Sequence, residues 1–149
     1  MTDSDMITAY KGNEPFIFVS YSHSDQLIVY KLIKQLHLDG FRIWYDEGIE
    51  LGTDWADDIA TAIIDSTSIL AFISPKSIAL HNVRSELNFA LSRKKSIVCV
   101  YLEDTELPLG LEMQLGSQIG IFYHSFNDDD KFYQRLIKSL PTQTKEDIA

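Results

Sequence analysis

The sequence predicts an α/β domain of flavodoxin-like type: a five-stranded parallel sheet in the order 2-1-3-4-5 with helices on both faces. Three observations carry this. Phe16 to Val19, SILAFIS at 68–74 and SIVCVYL at 96–102 are apolar runs without alternation, as expected of strands covered on both faces. Stretches with helical spacing of apolar residues separate them, so strands and helices alternate along the chain. Five strands within 149 residues, joined by short right-handed crossovers, favour that strand order.

Taken in order, residues 1–14 lack sustained periodicity and are expected to form a flexible leader before a domain over 15–141. Pro15 to Tyr21 is the first strand. Its end, Ser20-Tyr21-Ser22-His23-Ser24-Asp25, turns abruptly to small or polar groups. Ligands of open α/β sheets sit in the crevice beyond the carboxyl ends of the strands, so Tyr21 to Ser24 are expected to line the functional edge. Asp25 to Asp39 reads as a helix with Ile28, Val29, Leu32, Ile33 and Leu36 inward, Ser24 as N-cap and Gly40 as its stop. Phe41 to Asp46 is the second strand, followed by a loop over 47–52.

A second helix is expected from Thr53 or Asp54, with Ile59, Ala60, Ile63 and Ile64 as its inner stripe and Asp57 and Asp58 suiting its first turns. After the strand at 68–74, Lys76 to Arg93 carries one helical stripe through Leu80, Val83, Leu87, Ala90 and Leu91. Residues 103–117 contain Pro108, Gly110 and Gly116 and read as a loop with a short helix. Ile119 to Tyr123 is the fifth strand. Asp128 to Leu140 is a closing helix that buries Phe132, Leu136, Ile137 and Leu140. Residues 142–149 are expected to be a flexible polar tail.

Composition narrows the partners. The 22 Asp and Glu against 13 Lys and Arg give a formal charge of −9, which argues against nucleic acid or an anionic membrane surface as the main partner. The basic cluster Arg93-Lys94-Lys95 reads as a solvated helix end. One cysteine, Cys99, allows no disulfide within the chain and fits a reducing, cytoplasmic setting. No apolar run approaches membrane-spanning length.

Several uses of the fold fail on residue type. The turn after the first strand has no glycine, so a dinucleotide fingerprint is absent, and no Walker loop is present. A phosphoacceptor domain needs an Asp closing the third strand, where this chain has Ser74-Pro75. His23, His37, His81 and His124 are scattered without zinc-ligand spacing, so no metal is expected. A Ser-His-Asp set has no nucleophile elbow to carry it, and the serine-rich turn reads as a capping turn. Glu86 stands out. At roughly 100° per residue it falls about 90° from the centre of the inward stripe of its helix, neither core nor fully exposed. Two readings follow: a flank carboxylate paired with a nearby base, or an acid facing a crevice together with Asn82 one turn earlier. Phe89 points away from the core on the same wheel.

FVSYSHSD resembles the first box of Toll/interleukin-1 receptor (TIR) domains. FRIWYDEGIELGTDWADDIATAI resembles their second strand, following loop and helix. SILAFISPKSIALHNVRSELNFAL resembles the third strand and the helix that carries a glutamate in catalytic members, and FYQRLIKSL resembles the last helix. The resemblance spans about residues 15–140, and its compact loops are closer to prokaryotic than to animal members.

The resemblance implies one of two functions. Enzymatic members cleave the nicotinamide–ribose bond of NAD+, used as substrate rather than cofactor, and some bacterial ones make cyclic ADP-ribose isomers in anti-phage signalling. Others are scaffolds that self-associate through TIR–TIR contacts; interference with host TIR signalling by an effector is a further possibility. Glu86 matches the family's catalytic glutamate. Tyr21, Ser22 and His23 match residues near the bound nucleotide, and Asp46 and Glu50 fall beside the same pocket. The loop from Asp46 to Thr53, with Gly48 and Gly52, is the expected self-association contact. Many enzymatic members carry Trp four residues before the glutamate. Asn82 stands there in this chain and supplies no stacking face, which favours plain hydrolysis over cyclisation.

Overall fold

The structure is a computed structural model, described over residues 7–46 and 55–146. Strands β1 (Ile17–Ser20), β2 (Ile43–Tyr45), β3 (Ser68–Ile73), β4 (Ile97–Tyr101) and β5 (Ile119–Phe122) form one parallel sheet in the order β2-β1-β3-β4-β5. This is the flavodoxin-like topology that the apolar runs predict. The inner strands β1 and β3 are buried at every position, which is why their sequences do not alternate. At the edge, β5 buries only Ile121.

Helices cover both faces. On one side, α1 (Gln26–Leu38) and α6 (Asp129–Ser139) enclose Ile17, Val19, Leu70, Phe72, Val98 and Val100. On the other, α2 (Trp55–Asp65), α3 (Pro75–Ala79), α4 (His81–Ser92) and α5 (Leu109–Leu115) enclose Phe18, Ile69, Ala71, Ile73, Ile97 and Cys99. Successive strand residues feed opposite cores, as the period of two requires. Burial pushes the Cys99 thiol up to about 12, so it is an inert core group.

Several expectations are corrected. The helix expected over 76–93 is two helices, broken at Leu80, which is extended (φ −84°, ψ 129°). Ser74 and Ser77 form a reciprocal capping box that starts α3 at Pro75, and α4 starts afresh at His81. Leu80 therefore sits exposed rather than on the buried stripe. On α2 it is Ala62, with Ile59 and Ile63, that is buried, while Ile64 is exposed; the expected start of α2 at Thr53 or Asp54 lies outside the described residues. Ser22, not Ser24, is the cap: its hydroxyl accepts from Ser24 N at the head of a single 3-10 turn, His23–Asp25, that leads into α1. Gly40 does end α1, at a φ of 98°.

Where they are described, both ends of the domain bond to the edge of the sheet. In the expected leader, Tyr10 N donates to Ile43 O of β2, Tyr45 Oη donates to Ile7 O, and Ala9 is buried. In the expected tail, Thr144 is fully buried, Arg42 N donates to Thr144 O, Glu146 N donates to Gly40 O, and Phe41 bridges Lys145. Both segments satisfy backbone groups of the segment leading into and through the edge strand β2, an interaction that carries no periodicity of its own. Among the described residues, no helix is long and apolar enough to cross a membrane.

Candidate functional site

Acids and hydroxyls gather beyond the carboxyl ends of β1, β2 and β3, in the turn that follows β1 and on α4. Glu86, midway along α4, is half-buried, and Ser20 Oγ at the end of β1 donates to its Oε1 over 2.6 Å. Ser20 itself is 1% exposed. Burial pushes the Glu86 carboxyl from its ordinary 4.5 up to about 7; the Ser20 hydrogen bond opposes the rise and the nearby Asp46 charge adds to it. Glu86 is thus the boundary residue that the helical wheel predicts, and its partner is a hydroxyl rather than a base.

Asp46, which follows β2, links Glu86 to the turn after β1. His23 Nε2 lies 3.7 Å from Asp46 Oδ2, with the His23 side chain about half exposed. Tyr21 is buried, donates its hydroxyl to Asp46 O, and stands 3.1 Å from the Tyr30 hydroxyl. Burial and then the Tyr30 hydroxyl raise the Tyr21 phenol above its ordinary range, so it stays protonated. Its ring lies 5.0 Å from that of His23. Ser22 is buried and occupied with its cap. Of the residues singled out in the sequence, Tyr21, His23, Asp46 and Glu86 come to one edge, Ser22 supports the turn from within, and Glu50 lies outside the described residues.

Asn82 is exposed and lines a cleft of about 330 Å³ between α2 and α4. Ile59, Ala60 and Ile63 form one wall; His81, Asn82, Ser85, Glu86 and Phe89 form the other. Phe89, expected to point outward, is half-buried against the core and floors this cleft, because α2 packs along that flank of α4. The cleft joins an apolar surface to one carboxyl, a setting in which charge interactions are less screened than in water. Among the described residues, no group of three or more His, Cys, Asp or Glu is placed to hold a metal ion.

Two further residues of this site, Ser20 and Ser74, carry no functional signal in the sequence. Ser20 has no local signal, since its partner is 66 residues away; its position as the last residue of a buried strand is the one available hint. Ser74, directly after β3, is fully buried and donates to Asp25 Oδ2 over 2.6 Å. The two contacts cross: β1 reaches the helix that follows β3, and the end of β3 reaches the turn that follows β1. They span the point between β1 and β3 from which the strand order runs both ways.

Solved structures with this architecture are diverse. The TIR domain of the Toll-related receptor TRR-2 from Hydra magnipapillata superposes with a TM-score of 0.69 at 18% identity, over 82% of this chain and 94% of that one. The CMP N-glycosidase BcmB from Clostridium botulinum gives 0.62 at 15% identity, over 83% and 98%. The RPS4 and RRS1 TIR domain heterodimer gives 0.63 at 13% identity, over 88% and 99%. At these identities the likeness is one of fold. No curated protein matches the chain. The sequence profile of the TIR domain matches residues 17–137, and the chain belongs to the TIR domain family.

Proposed function

We propose that this TIR domain is a glycohydrolase that cleaves the nicotinamide–ribose bond of NAD+ to give nicotinamide and ADP-ribose. The observation that carries the reading is Glu86: a single carboxyl, withdrawn from water and held by Ser20, at the mouth of an apolar cleft by the carboxyl edge of the sheet. Nucleotide N-glycosidic cleavage is named for one structure of the same fold, the CMP N-glycosidase. The nearness of the Asp46 charge to Glu86 suits a substrate that carries positive charge at its glycosidic nitrogen.

As the bond from C1′ to the pyridinium nitrogen breaks, its electron pair passes to nitrogen and nicotinamide leaves neutral. The ribose takes up oxocarbenium charge, which the Glu86 carboxylate opposes. Water then adds to C1′ and loses a proton, for which Glu86, poised near 7, is a suitable acceptor. Asn82 supplies no ring to hold the leaving base over the sugar, so hydrolysis is favoured over cyclisation. Association between copies completes the pocket in this reading; that TIR domains can pair is seen in the RPS4 and RRS1 TIR domain heterodimer.

The test is nicotinamide release from NAD+ at high protein concentration, wild type beside Glu86→Ala, with products separated by chromatography. Release by the wild type that falls more than about a hundredfold in the variant is the expected result. No release from a folded, self-associating wild type overturns the proposal and leaves an interaction module.

A further inference from the structure

We infer that Ser20 is a positioning residue: its hydroxyl, fixed in the sheet, aims one Glu86 oxygen and sets the orientation in which that carboxyl meets the substrate. The inference rests on the reading of Glu86 as the catalytic carboxyl. Ser20 is the last residue of β1, pairs with Ala71 of β3, and is 1% exposed. A side chain on a buried central strand has little freedom, and a Ser hydroxyl there needs a partner. Buried Ser66 finds one locally, at Ile63 O of the preceding helix. Ser20 instead spends its proton on a carboxylate 66 residues away, at 2.6 Å.

The crossing contact gives a built-in comparison. Ser74 donates to Asp25 with the same length and equal burial, but it also caps α3 through Ser77. That latch is accounted for by structure alone. The acid held by Ser20 has no such duty; it faces the cleft beside Asn82. Among the described residues, the titratable groups around Glu86 are Asp46, with His23 beyond it, and His81 along the same cleft; α2 presents Ile59 and Ile63. A hydrogen bond from Ser20 favours the ionised form of Glu86, against burial and Asp46.

The experiment reads Glu86 directly, by 13C NMR titration of its carboxyl in the full chain, with the signal assigned by its absence in Glu86→Gln. In Ser20→Ala the midpoint is expected to rise by about half a pH unit or more. The acid limb of nicotinamide release should move up by the same interval, and kcat should fall about tenfold or more while KM changes less than about twofold. Ser20→Thr, which keeps the hydroxyl, should return the midpoint toward wild type. Ser74→Ala should lower the melting temperature without moving the Glu86 midpoint. An unchanged midpoint in folded Ser20→Ala overturns the inference. A wild type that releases no nicotinamide removes the NAD+ reading, yet the midpoint still decides whether Ser20 governs Glu86.

Discussion

Replacing Glu86 by Gln should make the protein more stable at alkaline pH and leave its stability unchanged at acid pH. The amide keeps the shape of the side chain and an oxygen for Ser20, and removes only the titration. In the wild type the carboxyl titrates at an ordinary 4.5 when unfolded and at about 7 when folded, raised first by burial. Between those values the native state holds a proton that the unfolded chain has lost, so stability falls as pH rises, by about 1.4 kcal/mol per pH unit. Over the whole interval the loss reaches about 3 kcal/mol, complete above the folded value and absent below the unfolded one. Denaturant unfolding of both proteins at several pH values between 4.5 and 8.5 gives the difference, in which the titration of distant groups cancels. Glu86→Gln should gain nothing near pH 4.5 and about 3 kcal/mol near pH 8, or about 6 to 12 °C in melting temperature for a chain of this size. A difference that stays flat across the range would show that Glu86 titrates normally, and the account of a desolvated carboxyl would fall.

Gly40→Ala should cost about 1 to 2 kcal/mol in denaturant unfolding, because Gly40 ends α1 at a φ of 98°, where a Cβ is strained. Truncation after Pro141 removes the Arg42 N–Thr144 O and Glu146 N–Gly40 O bonds and the Arg42 guanidinium contact to Gln143 O. It should lower stability by about 2 kcal/mol, read as a lower denaturation midpoint at unchanged slope.

What could be read in the sequence was whatever shows in short-range pattern. The runs FIFV and SILAFI have one physical explanation, burial on both faces, and the strand order follows from chirality and loop length. Glu86 was visible as a boundary residue because a helical wheel needs only local spacing. The break at Leu80 was not, since no glycine or proline marks it and the serine pair that caps the short helix before it signals a start rather than a stop. The wheel also misjudged Phe89, because the wall that covers it belongs to α2, and a wheel knows nothing of the neighbouring helix. The hydroxyl that holds Glu86 was hidden for the same reason: Ser20 and Glu86 meet only once β1 and β3 are paired. The bonds from Ile7, Tyr10, Thr144 and Glu146 to the edge were hidden because backbone pairing leaves no periodic trace in side chains.

That pairing gives the sheet a direction of growth. With Tyr10 bonded to Ile43 and the 144–146 segment bonded to Gly40 and Arg42, the β2 side offers little open ladder to a stray strand. The far side is different: β5 presents Ile119 and Phe122 to solvent with no described segment laid along it. In a crowded cell such an edge is where misassociation by strand addition would begin, so selection against aggregation should act on β5 substitutions more strongly than on those of β2.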